Sequence, residues 1–165
     1  MDETWHLLVY ALPIGIGATL LLDLWSWSLR RFGIRSMDWC LAGRWVGHWS
    51  RGRFMHASIG QAAPVRGECM LGWVVHYISG IAFAAMLLTV VGAGWLRQPT
   101  LWPALAVGLC TVVFPFFVMQ PGMGAGFAAS RTPDPNRARL RSLLTHTVFG
   151  LGLYVAALVV AALLR

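Results

Sequence analysis

The chain has 165 residues, of which 58% are hydrophobic and only 12% charged. Soluble domains carry about 25% charged residues, so this composition excludes an ordinary soluble globule and points to lipid as the solvent. The net charge of +7 does not mark a nucleic-acid binder, because the basic residues sit in short segments between apolar runs and not on one face of a folded domain.

All thirteen basic residues are arginine, a usage in keeping with a GC-rich bacterial source. The cysteines, Cys40, Cys69 and Cys110, are odd in number, far apart and without a C-x-x-C pair. Neither a disulfide framework nor a zinc cluster is expected from them. The chain opens Met1-Asp2-Glu3. A cleavable signal peptide would open with positive charge, so the first apolar run is expected to be retained as a span.

A helix needs about 20 mainly apolar residues to cross roughly 30 Å of hydrocarbon. Four windows in the single domain 1–165 qualify: 5–29, interrupted by Pro13 and Asp23; 69–95; 101–120, with Pro103 near its start and Pro115 inside; and 143–164. Backbone groups in lipid must bond internally, and the alternating pattern of a barrel is absent, so the expected fold is all-α, a four-transmembrane-helix bundle. Between the first two spans Leu41, Trp45, His48 and Trp49 recur at helical spacing, opposite Arg44 and after Ser36 as a candidate cap. This predicts a short amphipathic helix lying in the cytoplasmic interface. The stretch 130–136 is turn chemistry ahead of the fourth span.

Arginine position orients the bundle. Arg30, Arg31, Arg35, Arg44, Arg51, Arg53 and Arg66 lie between the first and second spans, and Arg131, Arg137, Arg139 and Arg141 between the third and fourth. Only Arg97 and Arg165 lie on the other side. The positive-inside rule places both long connections in the cytoplasm and both termini in the periplasm of a bacterial inner membrane. Trp5, Trp95 and Trp102 then mark the outer interface, and Trp25, Trp27 and Trp73 the inner one.

Asp23, His76 and His146 are the ionisable residues inside spans. At about 1.5 Å per residue they lie about 9, 12 and 7–8 Å from the cytoplasmic ends of their spans, in one slab. Gly15, Thr19 and Asp23 share a face at i, i+4 spacing, as do Glu68, Gly72, His76 and Gly80, and Ser142, His146 and Gly150. Small residues at that spacing mark close helix contacts, so the three ionisable groups are expected to face the bundle interior.

Several readings of that slab stay open. It could be a proton or polar-ligand site, an open divalent-metal site with two histidines and one carboxylate, or a cluster of structural hydrogen bonds. In the last case Arg30 or an indole would cap Asp23, and Ser, Thr or Tyr would bond the histidines. His48 and His56, eight residues apart without a nearby cysteine, match no metal spacing. The arginine-rich loop around them reads as a holder of anionic lipid headgroups. Gly122-Met-Gly-Ala-Gly126 follows a membrane helix and lacks the strand and lysine of a nucleotide loop, so it is expected to be a hinge or re-entrant turn.

The stretches Gly43–His48, Gly72–Tyr77, Met119–Gly124, Ala128–Pro133, Arg139–Leu143 and His146–Tyr154 together resemble an uncharacterised family of small four-span bacterial inner-membrane proteins, catalogued as a domain of unknown function. The resemblance covers nearly the whole chain and implies a location but no reaction. Its motif positions imply that Arg44, His48, His76, Gln120, Arg131 and His146 belong together.

The reading that follows is a protein that binds or transports a proton, cation or small polar ligand through a cytoplasm-facing intramembrane site. Asp23 would be the charge partner, with His76 and His146 titrating or ligating. Glu68 and Gln120 would form the rim, and loop arginines would attract anions. An accessory subunit packing against a membrane partner or a second copy, and a metal-dependent membrane enzyme, are the competing classes.

Overall fold

The computed structural model describes residues 3–34 and 36–164. Arg35 and Arg165, both counted in the arginine asymmetry, lie outside the described residues, as does the side chain of Trp5. The described residues are helical and contain no strand. The α-helices are α1 (Glu3–Arg31), α2 (Trp39–Gly47), α3 (Glu68–Val91), α4 (Leu101–Cys110), α5 (Gln120–Met123) and α6 (Pro135–Leu163). Four stretches are long and apolar enough to cross a membrane: Val9–Arg31, Glu68–Val91, Leu101–Met123 and Pro135–Leu163. These are the helices of a multi-pass membrane protein. Their outer faces carry exposed Leu20, Leu24, Ile78, Val90, Phe117 and Val159, an arrangement that suits hydrocarbon and not water.

The span ends differ from the sequence expectation for local reasons. α3 stops at Val91 because Gly92 turns to φ 80°, and a 3₁₀ segment, Ala93–Arg97, follows. Trp95, expected at the lipid interface, is buried instead and donates its indole N–H to Thr100 Oγ1 at 3.2 Å. α6 begins at Pro135, earlier than the apolar run suggests. Proline at a first helical position needs no donor, and Asp134 Oδ1 accepts from Arg137 N at 3.0 Å as a side-chain cap. In the third span Pro115 supplies no N–H to the α ladder, which widens to a π segment over Pro115–Met119 before α5.

The chain forms two compact units. The first comprises Met1–Ser36, Tyr77–Thr111 and Thr145–Arg165. Here glycine lets helices touch backbone to backbone. A Cβ on Gly15 would strike the Ile81 backbone, and one on Gly80 would strike Thr19 Oγ1, whose hydroxyl donates to Gly15 O at 2.8 Å. These contacts join α1 to α3. Gly152 meets Ala18 of α1, and Gly108 of α4 meets Gly150 of α6, where an added Cβ would lie 2.5 Å from the Gly150 Cα. Ile14, Leu87, Leu88 and Leu153 fill the space between, fully buried.

The second unit comprises Met37–His76 and Val112–Leu144. Its α2 forms where the sequence predicts a helix, but the cap is Asp38, whose Oδ1 accepts from Cys40 N at 2.9 Å, and not Ser36. Ser36 Oγ instead accepts from the Arg30 guanidinium at 3.2 Å. Cys40 and Cys69 form a disulfide, which the cysteine spacing did not lead us to expect. The reason is the glycine at the third position after each cysteine. A Cβ on Gly43 would collide with Glu68 O, and one on Gly72 with Trp39 O, so the first turns of α2 and α3 sit in direct backbone contact.

Candidate functional site

Asp23 lies inside the first span on the face carrying Gly15 and Thr19. Its Oδ2 accepts a hydrogen bond from the Tyr77 hydroxyl at 2.9 Å. This contact exists because Gly80, one turn along α3 from Tyr77, allows α3 to rest against Thr19 of α1. A carboxylate held inside a span is thereby supplied with a donor.

His146 sits half-buried on α6 opposite the end of α4. Its Nδ1 is 2.8 Å from Thr111 Oγ1 and 3.3 Å from Gly108 O. Thr111 is buried and donates its own proton to Gly108 O at 2.6 Å, so the hydroxyl oxygen accepts from the imidazole. Nδ1 therefore carries the hydrogen and Nε2 is the basic nitrogen. The close approach of Gly108 to Gly150 brings this pair into reach.

His76, in the second unit, is buried and stacks on the Trp39 ring with centroids 3.8 Å apart, with Trp73 edge-on at 5.7 Å. Arg44 and Glu68, expected to meet anions and to rim a pocket, meet each other. Arg44 Nε donates to Glu68 Oε2 at 2.9 Å and Nη2 to Oε1 at 2.6 Å. Arg44 Nη1 reaches Ile59 O at 3.4 Å and Ala62 O at 3.3 Å, and Glu68 Oε2 also accepts from Val65 N at 2.8 Å. The bond to Glu68 raises the pKa of the Arg44 guanidinium above its ordinary value. This forked pair fastens α2, the Ile59–Gln61 turn and the start of α3. Arg131 is exposed, with its backbone N–H on Ala125 O at 2.8 Å.

The arginine-rich loop is more ordered than a headgroup holder requires. α2 runs into a 3₁₀ turn, His48–Arg51, that Gly52 closes at φ 68°. The chain then folds back, with Arg53 N on His48 O at 3.2 Å and the Trp45 indole donating to Phe54 O at 2.7 Å. His48, read from sequence as interfacial, is almost wholly buried, at 1% exposure. The His48 and His56 rings meet edge to face at 4.9 Å. Gln120 Nε2 donates to Ser142 Oγ at 3.3 Å. The glycine segment after it is a tight turn, with Gly124 at φ 96° and Gly122 so near the Trp45 indole that a Cβ there would lie 2.5 Å from Nε1.

Among the described residues no group of three or more His, Cys, Asp or Glu stands together as metal ligands, so the metal set drawn from Asp23, His76 and His146 is not carried further. Tyr77 and Thr111 are the polar partners that sequence reasoning passed over. Each is adjacent in sequence, or opposite at a small-residue contact, to a group already singled out. The doubled Cys-x-x-Gly pattern, Cys40–Gly43 and Cys69–Gly72, was the signal for the disulfide.

No curated protein and no solved structure matches the chain. A family described as a protein of unknown function, DUF2938, matches residues 12–160, and the chain belongs to it.

Proposed function

We propose that this protein binds or transports a proton, a cation or a small polar ligand from the cytoplasmic side of a bacterial inner membrane, with both termini in the periplasm. Asp23 is the charge-bearing group, and His146 supplies a basic imidazole nitrogen within the same unit. The carrying observation is the Asp23 carboxylate inside a span with the Tyr77 hydroxyl on its Oδ2 at 2.9 Å. A carboxylate near a bilayer centre costs about 2.5–3.5 kcal/mol on insertion scales, and such residues mark ion and proton pathways. His146, with its proton fixed on Nδ1 by Thr111 and Gly108, presents a basic nitrogen on a neighbouring span.

The glycine faces support this reading over that of an accessory subunit, because Gly15, Gly80, Gly108, Gly150 and Gly152 are consumed by contacts within the chain. Exposed Arg51, Arg53, Arg66 and Arg131 suit attraction of anionic lipid headgroups on the same side. The test is purified protein in vesicles carrying an internal pH dye under an imposed cation gradient. Wild type should collapse the gradient and Asp23→Asn should not. Equal behaviour of the two overturns the proposal.

A further inference from the structure

Gly52, at φ 68°, reverses the chain between Trp49 and Met55. Phe54 and Met55 are more than half exposed, Trp49 is exposed as well, and exposed Arg51 and Arg53 lie between them in sequence. Large apolar side chains held together in the open mark a surface that meets something other than water. The tip is fixed in shape. The Trp45 indole donates to Phe54 O at 2.7 Å, the Trp45 and Trp49 rings meet edge-on at 4.8 Å, and the Trp49 ring lies 6.0 Å from that of Phe54. Its level is set by the third span, Leu101–Met123. His56 N donates to Gly122 O at 2.9 Å, and Gly122 lies against the Trp45 indole, so Phe54 and Met55 are tied to the last turn of that span. Exposed Phe117 and Phe127, with rings 6.3 Å apart, carry an apolar outer surface around the same span end. The tip is therefore level with the boundary between hydrocarbon and headgroups, where aromatic side chains and arginine are both at home.

We propose that the Trp49–Met55 reversal is a seat for an anionic phospholipid, in which Trp49, Phe54 and Met55 enter the leaflet and Arg51 and Arg53 hold the phosphate. Charge selects this occupant. No Asp or Glu occurs between Asp38 and Glu68, and Glu68 is taken by Arg44. The tip thus offers two guanidinium groups with no carboxylate of its own loop to answer them, and a second copy docked tip to tip would bring the same arginines against these. A rigid tip also enters lipid without first being ordered. General attraction of headgroups needs only exposed arginine. Insertion of a shaped tip is a further property, independent of any path through Asp23.

The test places a nitroxide on Met55→Cys in a Cys110→Ser background, with the Cys40–Cys69 disulfide closed. In vesicles of phosphatidylcholine and phosphatidylglycerol, collision rates with oxygen and with a water-soluble nickel chelate should put the label about 5–10 Å below the phosphates. A label open to the nickel chelate overturns the proposal, as does spin–spin broadening between chains, which would make a second copy the occupant. Native mass spectrometry then reads the headgroup. Phosphatidylglycerol should bind more tightly than phosphatidylcholine, and the double variant Arg51→Gln, Arg53→Gln should reduce that preference by about tenfold or more, as two guanidinium groups near an anionic surface supply. Absence of the preference, or its persistence in the double variant, overturns the assignment. Neither readout involves cation movement, so each can fail while Asp23-dependent collapse of a gradient persists, and the reverse.

Discussion

The Tyr77 hydroxyl donates to Asp23 Oδ2 at 2.9 Å, joining α3 to α1 across 54 residues of sequence. If this bond is a working part of the first unit, Tyr77→Phe and Asp23→Asn should not act independently. A double-mutant cycle read by thermal unfolding in detergent should give a coupling of about 0.5–3 kcal/mol. Additivity within about 0.3–0.5 kcal/mol would mean that the contact contributes nothing of its own.

The glycine contacts predict a sharp positional contrast. Gly80→Leu and Gly150→Leu force a side chain into Thr19 and into the α4 backbone, and Gly72→Leu into Trp39 O. Overpacking costs about 1–3 kcal/mol where neighbours can yield. Here most of the obstacles are backbone, so the loss should reach or exceed that range. A Cβ added at Gly94 would meet nothing within 4 Å, so Gly94→Ala should unfold at the wild-type temperature. Equal tolerance at all four positions would contradict the packing described for both units.

The forked Arg44–Glu68 pair has side chains only 14% exposed. Removing one partner strands the other, at a cost between the ~1 kcal/mol of a surface pair and the ~3–5 kcal/mol of a fully buried one. Arg44→Lys should recover little, because an ammonium cannot hold both Glu68 oxygens and the Ile59 and Ala62 carbonyls together. Limited proteolysis should then cut near Ile59–Gln61 faster in the variant than in wild type. A stable, uncut Arg44→Lys protein would show that charge alone suffices there.

Cys40 and Cys69 are within bonding reach and form a disulfide. The proposed topology puts them in the cytoplasm, where thiol systems keep such pairs reduced. Rapid trapping of intact cells with a membrane-permeant alkylating agent should therefore label both as thiols. Purified, air-exposed protein denatured without reductant should offer Cys110 alone. A pair already oxidised in cells would place the arginine-rich connections outside and reverse the topology, as would a C-terminal reporter active only in the cytoplasm.

Much of this molecule follows from sequence because lipid imposes a one-dimensional rule. Each crossing needs a long apolar run with its backbone bonded internally. The four windows therefore stand close to Val9–Arg31, Glu68–Val91, Leu101–Met123 and Pro135–Leu163, and α2 is readable from its own periodicity. The small-residue faces of Gly15, Thr19, Gly72, Gly80 and Gly150 were equally legible, since spacing within one helix sets which residues share a side.

What each face meets is a different matter, decided by helix rotation and depth, which no single helix encodes. Only the tertiary structure pairs Asp23 with Tyr77, His146 with Thr111 and Arg44 with Glu68. The same holds for the buried loop. His48 and His56 look unrelated at a separation of eight, and become neighbours because Gly52 adopts a left-handed conformation and returns the chain onto the Gly122 carbonyl. Composition and periodicity settle where a chain enters and leaves the membrane. Chain reversals and backbone contacts between distant glycines determine which polar groups come to share a place.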